Sequence, residues 1–120
     1  MPAWRILLVE DDHDVGQLLD VVLRSEGYTV EYVRDAAQAR ERLATGRYDL
    51  VLTDWRLPDG DGVEIAALAA RGAIKTILMS GYMLQVPAEK TAGCELLMKP
   101  IRPRELIETI ERILGSPVRP

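Results

Sequence analysis

Acidic residues in this chain gather where short apolar runs stop. Glu10, Asp11 and Asp12 follow Ile6 to Val9, and Asp54 follows Leu50 to Thr53. Ser80-Gly81 closes the run Thr76 to Met79, and Lys99-Pro100 closes Leu96 to Met98. If the runs are parallel strands, their carboxyl ends share one rim, the edge where open α/β sheets bind ligands. Carboxylates brought together at low dielectric repel one another, and a hard divalent cation offsets that repulsion. The set therefore predicts Mg²⁺ or a similar ion, with coordination positions left over for water or phosphate oxygens. A lysine ammonium and a serine hydroxyl on the same rim would hold further phosphoryl oxygens and spread the charge of a transition state. One carboxylate is then the nucleophile, and Asp54 is favoured because its strand is central in such a fold.

Elements able to place these groups are legible from periodicity. The runs Ile6 to Val9, Tyr28 to Val33 (partly alternating), Leu50 to Thr53, Thr76 to Met79 and Leu96 to Met98 have the character of strands buried on both faces. Between them lie segments of helical period: Val15, Leu18, Leu19, Val22 and Leu23 share one face, as do Leu106, Ile110, Ile113 and Leu114. Asp35 with Gln38 resembles a capping box, and Pro103 suits a first helical position. Gly27, Gly46, Gly72 and Gly115 are placed to end helices. Five strands and five helices in alternation predict an α/β fold, a parallel sheet with helices on both faces joined by right-handed crossovers. The fourth helix, about Leu84 to Ala92, is the weakest, because Pro87 interrupts a thin apolar pattern; a short or mobile segment is expected there.

A length of 120 residues predicts a single domain, with Ser116 to Pro120 as a frayed tail or linker stub. With 48% apolar residues the chain can bury roughly two-thirds of its unfolded surface, enough to fold without staples. The net charge of −4 and the scattered arginines argue against direct nucleic-acid or anionic-membrane binding. No apolar run approaches the ~20 residues that span a bilayer, so no membrane insertion is expected. A lone cysteine, Cys94, cannot form an internal disulfide, and with His13 the one histidine a Cys/His zinc site is excluded. A cytoplasmic location is the resulting expectation.

Plainer roles account for several conspicuous residues. Asp12 and Asp14 suit a helix start, and Asp59-Gly60-Asp61-Gly62 suits a turn and cap rather than a second metal site. His13 is expected as an exposed helix-start residue, and Cys94 as a packing residue opening the fifth strand. A Ser-His-Asp hydrolase finds no Gly-x-Ser-x-Gly elbow, and Trp4, Trp55 and Tyr82 are too dispersed for a base-stacking platform.

Four marks in order resemble the receiver domain of two-component response regulators: the acidic pair in Leu8-Val9-Glu10-Asp11, the run Asp54-Trp55-Arg56-Leu57-Pro58-Asp59-Gly60-Asp61-Gly62, the pair Ser80-Gly81, and Lys99-Pro100. The resemblance covers essentially the whole chain. It implies a three-layer, doubly wound (βα)5 flavodoxin-like fold with strand order 2-1-3-4-5. It also implies that Asp54 accepts a phosphoryl group from a kinase phosphohistidine. By the same resemblance Asp11 would hold Mg²⁺ directly and Glu10 through water, with Asp54 and the backbone carbonyl of Arg56 as further ligands. Ser80 would be the switch hydroxyl, Lys99 would bind phosphoryl oxygens, and a cis bond would fall at Lys99-Pro100. Implied partners are a histidine kinase or phosphotransfer protein and an output protein on another chain, with a homodimer left open. Both a stand-alone protein and a receiver from a hybrid kinase fit.

Two departures from the family pattern stand out. Leu96 occupies the position, three before the lysine, where the family usually has an aromatic residue, and the stretch from Ser80 to Lys99 is shorter than is typical; Tyr82 is a candidate substitute for the missing ring. The competing functional classes are a receiver-like interaction module that is never phosphorylated and a small Mg²⁺-dependent aspartyl phosphatase. The latter would need a substrate pocket or cap for which no chain remains.

Overall fold

The structure of the chain, a computed structural model, describes residues 3–81 and 93–115. Its elements in order are β1 (Arg5–Val9), α1 (His13–Ser25), β2 (Thr29–Val33), α2 (Ala36–Thr45), β3 (Leu50–Asp54), β4 (Arg56–Leu57), β5 (Gly60–Asp61), α3 (Gly62–Arg71), β6 (Lys75–Ser80), β7 (Glu95–Met98) and α4 (Pro103–Leu114). The five longer strands form one parallel sheet in the order β2-β1-β3-β6-β7, the expected 2-1-3-4-5 arrangement counted over the long strands. The expected fourth helix falls outside the described residues, as do Tyr82 and the tail from Ser116.

Alternation along the strands splits the core into two layers. Ile6, Leu8, Leu50, Leu52, Ile77 and Met79 meet Leu19 and Leu23 of α1 and Leu106 and Ile110 of α4 on one face. Leu7, Val9, Val33 and Val51 meet Ala36 and Ala39 of α2 and Ile65 and Ala69 of α3 on the other. Successive strand side chains point to opposite faces, so an uninterrupted apolar run is what a two-sided burial requires. Each fully buried Leu or Ile contributes about 1.5–3 kcal/mol relative to exposure. The result is the three-layer, doubly wound sandwich of flavodoxin-like folds.

Helix starts follow their caps. Asp12, Asp35 and Asp61 each accept a hydrogen bond from the backbone N–H three residues on, at 3.1, 2.8 and 3.0 Å. Pro103 opens α4 without a side-chain cap. The Asp59 to Gly62 turn is more elaborate than expected, because Arg56–Leu57 and Gly60–Asp61 pair as a small antiparallel hairpin. Asp59 does not cap the helix that follows it. Its two carboxylate oxygens accept from the N–H groups of Ala36 and Ala37 at 2.7 and 2.9 Å, tying the hairpin to the start of α2. Cys94 lies one residue before the last strand and is half-buried.

Candidate functional site

The carboxyl ends of β1, β3, β6 and β7 meet around one cleft of about 260 Å³, lined by Asp11, Asp54, Arg56, Ser80, Gly81 and Lys99. Asp54 is the last residue of the central strand β3 and is 3% exposed. The backbone around it is closely held. Trp55 donates its N–H to the Met79 carbonyl at 2.9 Å, and Gly62 donates to the Trp55 carbonyl at 2.6 Å. A Cβ at position 62 would stand 2.2 Å from the Asp54 carbonyl oxygen, so only glycine lets the hairpin and α3 sit this close to the strand end.

Glu10, directly after β1, is fully buried, whereas its neighbour Asp11 is exposed. Carboxylate oxygens of Glu10, Asp11 and Asp54 lie within 4.8 Å of one another. Both oxygens of Glu10 are engaged: Oε1 accepts from Lys99 Nζ at 2.9 Å and Oε2 from the Asp12 N–H at 3.1 Å. The Lys99 ammonium also stands 2.6 Å from Asp54 Oδ1, so one lysine bridges two buried carboxylates. Lys99 is held in turn by its N–H donation to the Ser80 carbonyl at 2.9 Å, and its bond to Pro100 is cis.

Charge at this site is under-compensated. Neither Asp54 oxygen accepts a well-directed hydrogen bond among the described residues, and the Lys99 contact is an ion pair without that alignment. Burial pushes the Asp54 carboxyl up from the ordinary carboxylate range, the adjacent Glu10 carboxyl pushes the same way, and Lys99 pulls back. Burial alone would lower the Lys99 ammonium, but the hydrogen bonds and charges of Asp54 and Glu10 outweigh it and the net shift is upward. Buried carboxylate oxygens without good donors, beside two further acids, are the donor set a hard divalent cation fits.

The structure thus brings together Glu10, Asp11, Asp54, Arg56, Ser80 and Lys99, all singled out from sequence. It turns others away: Asp12, Asp59 and Asp61 are spent on helix starts, and His13 is exposed at the first turn of α1. Leu96 is half-buried on β7. Arg56 lays its guanidinium over the Trp55 ring, 4.6 Å from the centroid, at the edge of the cleft. Contacts that sequence reasoning did not anticipate come from the end of β2. Tyr32 Oη donates to the Glu10 carbonyl at 3.0 Å and Arg34 Nη2 to the Asp11 carbonyl at 3.1 Å. The partial alternation of that run was the one available signal, and it says nothing of which loop the side chains reach.

A family model described as the response regulator receiver domain matches residues 6–111, the span that carries the whole cleft. The chain belongs to the response regulator receiver domain family. This receiver is 34% identical over 115 residues to the response regulator receiver protein CpdR of Brucella abortus, covering 92% of this chain and 96% of that protein. It is 30% identical over 110 residues to the DNA-binding response regulator MtrA of Mycobacterium tuberculosis, covering 88% of this chain but 48% of that protein, so the receiver spans about half the length of that relative. Among solved structures, the CheY-like receiver domain protein of Methanospirillum hungatei is 31% identical with a TM-score of 0.81, over 92% of each chain. The response regulator TrrA of Thermotoga maritima, in complex with Mg²⁺ and BeF, is 28% identical with a TM-score of 0.85, over 92% of this chain and 99% of that one. The receiver is therefore a signalling domain of two-component systems. Among its described residues no helix is long and apolar enough to cross a membrane.

Proposed function

We propose that this receiver accepts a phosphoryl group on Asp54 in a Mg²⁺-dependent reaction and that the acyl phosphate changes its affinity for an output partner. The observation that carries this reading is the Asp54 carboxylate at the floor of the cleft, under-bonded, with Lys99 at 2.6 Å and the Glu10 and Asp11 carboxylates beside it. A carboxylate oxygen of Asp54 attacks the phosphorus of a phosphohistidine; the P–O bond forms as the P–N bond breaks, and the imidazole leaves with a proton. Attack by water on the same phosphorus releases inorganic phosphate and restores the carboxylate.

Bound Mg²⁺ would neutralise charge on the phosphoryl oxygens. Asp11, Asp54 and the Arg56 carbonyl are the direct ligands in this reading. Glu10, whose two oxygens already accept from Lys99 and the Asp12 N–H, acts through water. The TrrA complex with Mg²⁺ and BeF supports the same chemistry here. Lys99 moves from Asp54 to a phosphoryl oxygen as the charge there builds, and the Ser80 hydroxyl binds another and reports the change. The domain catalyses only its own phosphorylation and dephosphorylation, in a single domain over residues 1–120. Its donor is a histidine kinase or phosphotransfer protein, in the cytoplasm.

The test is intact mass after incubation with a histidine-phosphorylated donor or acetyl phosphate, with and without Mg²⁺. Wild type gains one phosphoryl group only when the metal is present, and Asp54→Ala gains none. Equal labelling of Asp54→Ala overturns the assignment of the acceptor.

A further inference from the structure

Glu10 and Asp11 sit in the short loop between β1 and α1, and their backbone is gripped from outside the loop at three consecutive points. Glu10 donates its N–H to the Val33 carbonyl at 3.1 Å. Its own carbonyl accepts from Tyr32 Oη at 3.0 Å, and the Asp11 carbonyl accepts from Arg34 Nη2 at 3.1 Å. The three partners are consecutive residues, Tyr32 and Val33 closing the edge strand β2 and Arg34 directly after it. The phenol reaches the loop through a gap in α1. Gly16 lies beneath the ring, and a Cβ there would stand 2.1 Å from Tyr32 Oη and 2.2 Å from Cζ. A side chain at position 16 and the Tyr32 hydroxyl in this position exclude each other.

These contacts bear on the direction of two carboxylates. A donor on each of two successive carbonyls fixes both peptide planes, and with them the directions of the Cα–Cβ bonds of Glu10 and Asp11. Glu10 is also held through its side chain, by Lys99 and by the Asp12 N–H. The Asp11 carboxylate is exposed, and what the described residues hold is its backbone.

We propose that Tyr32 and Arg34 are positioning residues that pre-set the Glu10-Asp11 pair for a small divalent cation, with Gly16 as the notch that admits the Tyr32 hydroxyl. The inference rests on the metal-dependent phosphoacceptor reading above. It has two consequences that a general stabilising role lacks. Mg²⁺ tolerates misplacement of its ligands poorly and Ca²⁺ accepts a looser site, so slackening the loop costs Mg²⁺ more than Ca²⁺. Arg34 also carries positive charge beside a cation site. By charge alone its removal would tighten Mg²⁺ binding, whereas loss of the grip weakens it.

The experiment is a pair of Mg²⁺ and Ca²⁺ titrations of the full chain, followed by tryptophan emission, on wild type, Tyr32→Phe, Arg34→Ala, Gly16→Ala and Asp11→Ala, with Tm measured for each. Tyr32→Phe keeps the ring and loses only the hydroxyl. Expected is a roughly tenfold weaker Mg²⁺ affinity for Tyr32→Phe and Arg34→Ala, of the size seen when the partners that orient metal ligands are removed. Ca²⁺ affinity falls less, and Gly16→Ala moves in the same direction as Tyr32→Phe. If Asp11→Ala abolishes Mg²⁺ binding while Tyr32→Phe and Arg34→Ala keep the wild-type affinity and the wild-type Mg²⁺ to Ca²⁺ ratio, the positioning role is overturned and the metal site stands. Tighter Mg²⁺ binding by Arg34→Ala overturns the role of that residue. A metal titration unchanged in Asp11→Ala overturns the metal site itself, and the positioning role with it.

Discussion

The two ends of the sheet carry charged clusters built on opposite terms. Where the strands enter, Glu31 of β2 accepts from the Tyr48 hydroxyl, pairs with Arg42 Nε at 2.8 Å and lies 3.8 Å from Arg5 Nη2. Arg5 in turn donates its N–H to Asp49 and its Nε to the Arg47 carbonyl, each at 2.8 Å, and stands over the Tyr48 ring. The charged side chains here are partly exposed, and Glu31 and Arg5 each have more than one partner. Where the strands leave, Glu10 and Asp54 are almost wholly buried and share one lysine, with the Asp54 oxygens poorly served. Charges that serve stability are placed where water helps them and partners are plentiful. The other cluster leaves a buried carboxylate under-bonded, and in the proposed reading a bound cation or a phosphoryl group would complete it.

The sharpest way to break this comparison is to complete the under-bonded end. A ligand that binds the folded chain stabilises it by about 2.7 kcal/mol at one hundred times its Kd, so saturating Mg²⁺ should raise the wild-type Tm by several degrees. Asp11→Ala should lose most of that gain. Thermal melts with and without metal check it, and an equal gain in both proteins would show that the cleft is not where the ion acts.

At the other end, Glu31→Ala removes the hub of a network that has nothing to do with the cleft. With the side chain about one-third exposed, solvent screens part of the loss, and a destabilisation of roughly 0.5–1.5 kcal/mol is expected. Mg²⁺ affinity and the extent of phosphorylation should not change. Denaturant melts beside a mass-based labelling assay measure both, and a labelling defect would mean that the two ends are coupled.

Asp59 provides the smallest and most discriminating contrast, because it is an acid near the functional rim that is fully bonded. Its carboxyl is held below the ordinary carboxylate value chiefly by the Ala36 N–H, with the Ala37 N–H adding to it. A carboxyl whose folded pKa is depressed contributes stability above its unfolded pKa and loses it as pH falls through the folded value. Asp59→Ala should therefore have a modestly lower Tm at neutral pH, and the gap from wild type should close as the pH drops below the ordinary carboxylate range. A gap that persists in acid would trace the effect to something other than the charge on those two bonds.

Much of this was legible before any fold was known. The apolar runs mark the five long strands, and the structure extends most of them by a residue at an end: Arg5 and Glu95 at the start of β1 and β7, Asp54 at the end of β3, Lys75 and Ser80 at either side of β6. Polar residues at strand ends join the ladder without adding to an apolar pattern, which is why periodicity stops short of them. The caps Asp12, Asp35 and Asp61 were readable because capping is a contact over three residues. Asp59 resembles another local turn residue, yet its partners are 23 and 22 residues away.

The sequence by itself determined the alternation of elements, the two-faced burial of the strands and which side chains stand at their carboxyl ends. These follow from hydrophobic period and turn chemistry, both properties of neighbouring residues. Only the tertiary structure decided how those ends share their charges. Lys99 reaches across 89 residues to bridge Glu10, Gly62 closes on the Asp54 carbonyl, and the β2 end takes hold of the acidic loop through the gap at Gly16. Such contacts depend on strand order and on distances of a few ångströms between segments remote in the chain. No periodicity encodes them, and they determine which carboxylate is left under-bonded and which are spent on the fold.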